Sequence, residues 1–234
     1  MDKSFESQLG RSEELLRDLE AEVENSLSQR VVSSRLENIS HELLLKLGRI
    51  LDQLMVKCFK NCYFPLLSVD QSEKKLKSVY FPVCENEQKL RSRLKDVGMA
   101  DLEQKDNNFF RLLQSSQPYS ADENWWITHL KRYANATHIE IIPQVLSEEH
   151  ETILGSAVRV GRGARVSMNN CYVGGVLVNS TDINTEPLGN FDPRLNVQRL
   201  VWTSVVFKDT GLDVLKLCRD SKEGVTKLCE AVSG

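Results

Sequence analysis

Arg132-Tyr133-Ala134-Asn135-Ala136-Thr137-His138 places a guanidinium, a carboxamide and an imidazole within seven residues. Cleavage of RNA through its own 2′-hydroxyl asks for little more. A base takes the hydroxyl proton, and a cation steadies the crowded phosphate. Histidine titrates near neutral pH. Arginine offers a fixed fork of donors to phosphate oxygens. Asn135, three residues from each, is spaced to orient the imidazole. The pattern is common by accident. With 15 arginines and four histidines in 234 residues, roughly 0.8 such matches arise by chance. A second one, Arg35 to His41, is indeed present. On a straight helix, residues six apart face some 120° away from each other at about 100° per residue. Arg132 and His138 therefore converge only where the helix ends between them, or across a subunit interface.

Three further groups bear on chemistry. Arg159, Arg162 and Arg165 flank Gly161 and Gly163, a pattern suited to a phosphate or sulfate. Cys58 and Cys62 are one helical turn apart, and two thiolates so spaced can share a metal. No second pair with ligand spacing accompanies them, no CxxC is present, and the histidines form neither HExxH nor HxH. The six cysteines, with Cys84, Cys171, Cys218 and Cys229, thus read as reduced and mostly buried thiols, and no metal or cofactor is expected. P-loop, GxGxxG and GxSxG motifs are absent.

Charge narrows the partners. Lys plus Arg is 30 and Asp plus Glu is 33, a net charge of −3. Residues 1–142 carry 20 basic and 22 acidic side chains, and 143–234 carry 10 and 11. Neither half has the positive footprint of phosphate-dominated binding. RNA is therefore the weaker partner expectation and a protein partner the stronger. No apolar run approaches the ~20 residues of a membrane span. The first twenty residues are rich in acids and lack an apolar stretch. The expectation is a cytoplasmic protein without a membrane anchor.

These residues must be positioned by a chain of two characters. Apolar periodicity predicts helices over 4–29 and 33–62, the second with an arc wide enough to be central in a bundle. Leu9, Leu16 and Val23 repeat every seven residues in the first. Residues 66–80 read as a loop, 86–97 as a helix closed by Gly98, and 101–115 as one helix. Ser120-Ala121-Asp122-Glu123 reads as a capping box opening a helix that carries Trp125 and Trp126 and ends near Thr137. From Ile139 the pattern turns β-rich. Strands are expected around 158–160, 164–166, 172–178 and 197–208, a long loop over 179–195, and a last helix over 212–232. The fold class is α+β: a helical bundle over 1–142, then a β-rich half over 143–234 made of an antiparallel sheet and a terminal helix, packed as one unit.

The order of several short motifs resembles a group of uncharacterised bacterial proteins. They are Ile50-Leu51-Asp52-Gln53-Leu54, Phe81-Pro82-Val83, Ser116-Gln117-Pro118-Tyr119, Trp125-Trp126, the junction Thr137-His138-Ile139-Glu140-Ile141, and Val201-Trp202-Thr203. The helical half of that group is similar to the HEPN superfamily. The resemblance implies a HEPN-like bundle. It also implies a setting in defence or stress and a metal-independent endoribonuclease signature of Arg, four to six residues, then His. It further implies the habit of building sites across a homodimer. The heptad and the paired tryptophans point to a dimer as well. At the junction, members read Asn-x-Asp-Lys-His where this chain has Ala134-Asn135-Ala136-Thr137-His138, so the histidine alone is kept. The favoured reading is a non-catalytic interaction or accessory module. The alternative is an endoribonuclease using Arg132, Asn135 and His138.

Overall fold

The first helix, α1 (Lys3–Gln29), buries Leu9, Leu16, Leu19 and Val23 along one stripe. The stripe packs on α2 (Ser34–Cys62) and on the last helix, α8 (Val214–Ser233). Ion pairs from Glu20 to Arg219 and from Glu13 to Lys222 flank this contact. The Ser33 hydroxyl caps α2 by accepting the Leu36 N–H at 3.1 Å. As its wide apolar arc predicts, α2 is central and packs on α1, α8 and α7 (Trp125–Ala134). Gly48 lets α2 and α7 meet closely: a Cβ there would lie 2.7 Å from that of Ala134.

The computed structural model describes residues 3–66, 68–148, 153–154, 158–159, 166–173, 176–183 and 199–233. Its architecture is α+β, mostly helical. The chain divides into two compact units, residues 1–142 with 205–234, and residues 143–204. Within the first unit one apolar cluster joins the helices to Phe81, Ile139, Ile141, Val205 and Phe207.

Several local expectations change. The stretch read as a loop over 66–80 contains α3 (Val69–Leu76), capped by Ser68. Only two of its eight residues, Val69 and Leu76, are apolar. Instead Asp70 in its first turn and Lys74 and Lys75 in its last match the helix dipole. After α4 (Glu87–Asp96), Gly98 adopts φ +80° in the expected terminating role. The helix expected over 101–115 is two: α5 (Leu102–Lys105) and α6 (Asn107–Ser115). Asp106 lies between them at φ −147°, ψ 80°, and its carboxylate accepts the Phe109 N–H at 2.9 Å. An aspartate prefers such a cap to a helix interior. The capping box at Ser120 does not form. The Ser120 hydroxyl donates to the Gln114 carbonyl at 2.6 Å, and a short 3₁₀ turn over Asp122–Asn124 precedes α7. The latter ends at Ala134, not near Thr137.

The motif residues lock together. Gln117 is fully buried. Its amide donates to the carbonyls of Pro82 and Leu113, both at 3.0 Å, and accepts the Cys84 N–H at 2.9 Å. Asp52 on α2 accepts the Phe81 N–H at 2.9 Å and the Lys131 ammonium at 2.6 Å. The Phe81-Pro82-Val83 island is thus pinned from both sides by side chains of two other motifs.

Strand β1 (Ile141–Glu148) pairs with β6 (Arg199–Phe207), the strand expected over 197–208. Hydrogen bonds from Lys208 to Glu140 and from Ser204 to Gln144 give the pair an antiparallel sense. The short strands β2 (Ile153–Leu154) and β3 (Val158–Arg159) pair antiparallel. So do β4 (Val166–Val173) and β5 (Val176–Ile183), with Val173 opposite Val176. The segment 172–178 is therefore parts of two strands, not one, and β5 runs into the expected loop as far as Ile183. The rest of that loop lies outside the described residues.

The apolar stripe of α1 and the two indoles serve intrachain packing. Trp126 is buried against Gly224 of α8, where a Cβ would fall 2.1 Å from its ring. Trp125 is half-buried beneath the Lys216 ammonium, 4.9 Å from the ring centre.

Candidate functional site

The cleft that takes in the Arg–His pair is built by three short segments of the first unit. The end of α7 contributes Arg132 and Tyr133. The extended stretch after it contributes Ala136, His138, Ile139 and Glu140. The turn after β6 contributes Lys208 and Asp209. Together they line a hollow of about 490 Å³. Because α7 stops at Ala134, Arg132 and His138 reach the same hollow, which a continuous helix would have prevented.

The walls are held by stacking and by Asp209. The Tyr133 and Phe207 rings stack at 4.0 Å between centroids. The turn places Gly211 at φ +69°, with its N–H donating to the Phe207 carbonyl at 2.7 Å. That turn aims Asp209 back at α7. Its carboxylate accepts the Tyr133 hydroxyl at 2.6 Å and the Arg132 guanidinium at 2.5 Å. The Tyr133 oxygen also meets the Thr210 hydroxyl at 2.7 Å. Burial, reinforced by the hydrogen bond to Asp209, pushes the Tyr133 hydroxyl up to about 12. Across the hollow, Lys208 is tied to Glu140 twice: ammonium to carboxylate at 2.6 Å, and backbone N–H to carbonyl at 3.0 Å.

The candidate residues are thus only partly assembled. Arg132 and His138 line one cleft. Asn135 lies at the C-terminus of α7, exposed, with its backbone N–H on the Lys131 carbonyl at 3.3 Å, and it does not line the hollow. His138 is exposed and accordingly is not a core histidine. The side chain of Arg159 and all of Arg162 and Arg165 lie outside the described residues, and Cys171 has no described side chain. Sequence reasoning missed Tyr133, Glu140, Lys208, Asp209 and the neighbouring His129. The Nδ1 of His129 is buried without a partner. Burial, then the Arg132 charge, lowers the His129 pKa, against an opposing pull from Asp209. Asp209-Thr210-Gly211, a turn tripeptide directly after the strand expected over 197–208, was the available signal.

A second cluster lies at the C-terminal end of α2. Cys58 is buried, at 5% exposure, and Cys62 and Asp106 are half-buried. Among the described residues, this trio alone brings metal-ligating side chains together, with ligand atoms all within 4.8 Å of one another. Burial, then Cys62 and Asp106, raises the Cys58 thiol pKa. Cys84 is half-buried and Cys218 fully buried; both are free thiols.

No family model matches the chain, and no curated protein or solved structure matches it significantly. Among the described residues, no helix is long and apolar enough to cross a membrane.

Proposed function

We propose that the chain is a non-catalytic interaction or accessory module with a HEPN-like bundle, of bacterial origin and acting in defence or stress. The observation that carries this reading is the charge state of the cleft. Each cation in it already faces a carboxylate, Arg132 with Asp209 and Lys208 with Glu140. The pairs cancel, which leaves His138 and the Tyr133 phenol as the other ionisable side chains of the lining. Phosphate-dominated binding draws on cations whose charge is not neutralised. A self-neutralised hollow with an aromatic wall suits a polar segment of a protein partner instead. Self-association as a homodimer belongs to the same proposal. It uses surfaces other than the α1 stripe and the two indoles, which are occupied within the chain.

One observation favours a second reading, a metal-independent endoribonuclease: Arg132 and His138 do line a single cleft. There His138 would remove the 2′-hydroxyl proton, and Arg132, released from Asp209, would steady the phosphate. Incubation of the purified chain with total RNA in EDTA decides between them, with His138→Ala and Arg132→Ala alongside. The expected result is no cleavage by any of the three. Cleavage by the wild type that both substitutions abolish would establish the nuclease. Because His138 is exposed, His138→Ala should change stability by no more than about 0.5 kcal/mol. Loss of cleavage in that variant would then report chemistry rather than unfolding.

A further inference from the structure

We propose that Cys58, Cys62 and Asp106 form a binding site for a thiophilic divalent metal ion, zinc being the best match, held by two thiolates and one carboxylate oxygen. The three ligand atoms lie within 4.8 Å of one another. Neighbouring ligand atoms around a tetrahedral zinc, with bonds of about 2.0–2.3 Å, are roughly 3.5–3.8 Å apart. Side-chain rotations of an ångström or less close that difference without moving the helices.

The ligands come from two separate elements. The cysteines share one face of the last turns of α2. Asp106 is supplied by the break between α5 and α6. Its orientation is already fixed, because one carboxylate oxygen accepts the Phe109 N–H at 2.9 Å and leaves the other for a metal. Ligating carboxylates are held by such outer hydrogen bonds in established metal sites. Cys58 lies on the buried side of the trio, while Cys62 and Asp106 reach partway to solvent. An ion therefore has an approach, and its fourth position opens to water.

The donor set selects the metal. Two thiolates favour zinc, cadmium or cobalt over magnesium and calcium, which prefer oxygen alone. A disulfide is a poorer use of the same pair. Helical residues four apart hold their Cβ atoms about 5–6 Å apart, and a disulfide needs about 3.5–4.5 Å. A metal spans that gap, and a disulfide would have to unwind the helix. Binding one divalent ion displaces both thiol protons to buffer and leaves the three ligands plus ion with a single negative charge.

The test uses the full chain, reduced and stripped with a chelator, titrated with cadmium and with cobalt. The expected result is one ion per chain, a thiolate-to-metal charge-transfer band, tetrahedral cobalt absorption in the visible, and two protons released per ion. Cys62→Ser should remove most of the band and weaken binding by tenfold or more. Asp106→Asn should keep the band and weaken binding by about tenfold or more. Cys84→Ser should leave both unchanged. Both ligand substitutions are at half-buried positions, and circular dichroism verifies their folding. Absence of a charge-transfer band in the folded wild type would overturn the proposal. So would a band that persists at full strength in Cys62→Ser, since the thiols would then be others.

Discussion

Replacing Gln117 by leucine tests whether the motif residues hold the bundle together. Leucine fills the space of glutamine, so no cavity forms, and the loss is mainly polar. Gln117 is fully buried and makes three hydrogen bonds. The Leu113 carbonyl keeps another partner, the Ser116 hydroxyl at 2.9 Å. The Cys84 N–H and the Pro82 carbonyl lose the partner that Gln117 supplies. An orphaned buried group costs about 1–3 kcal/mol, so the substitution should cost roughly 2–5 kcal/mol. Against a total stability of about 5–15 kcal/mol this is a large fraction. Urea denaturation followed by far-ultraviolet circular dichroism reads mainly the helical unit. With a slope of about 1–3 kcal/mol per molar, the midpoint should fall on the order of 1 M or more, at unchanged slope. Gln104→Leu, at an exposed position, is the control and should stay within about 0.5 kcal/mol. If Gln117→Leu behaves like the control, the lock between Gln117 and the Phe81-Pro82-Val83 island is not a stabilising element and the reasoning fails.

Gly224→Ala should destabilise by about 1–3 kcal/mol, although alanine favours a helix by about 1 kcal/mol. The new Cβ would lie 2.1–2.8 Å from three Trp126 ring atoms. A double-mutant cycle with Trp126→Leu should show strong coupling, and additive losses would exclude the steric explanation. For Tyr133, the folded state keeps the phenolic proton up to about 12 against an ordinary 10.0. The unfolded chain sheds it first, so this residue's contribution is intact below pH 10 and is lost as the pH rises toward about 12. Urea midpoints measured across that window should fall, and Tyr133→Phe should flatten the fall. An equally steep fall in the variant would assign the effect to other groups. Tyr63, raised chiefly by burial and then by its hydrogen bond to Asp101, is the first to consider.

Much of the helical architecture was legible because burial is written in apolar spacing. Leu9, Leu16 and Val23 on α1, and the arc from Leu36 to Phe59 on α2, face inward as their periodicity requires. Gly98 ends α4 because a left-handed residue costs glycine nothing. The Arg132–His138 pair was legible as a pattern, and so was the condition for its convergence, that the helix end between the two. Tertiary structure decided what no spacing encodes. Which oxygen Arg132 faces depends on a turn 77 positions away that aims Asp209 at α7. Whether Cys58 and Cys62 have a third ligand depends on Asp106 breaking a helix that apolar periodicity alone would continue. In sequence the α1 heptad read first as a bundle face and only second as a partner face, and the paired tryptophans fitted either a subunit interface or a neighbouring element of the chain. Packing assigned them to α2 and α8, since a local pattern fixes which face is apolar and only the folded chain supplies what covers it.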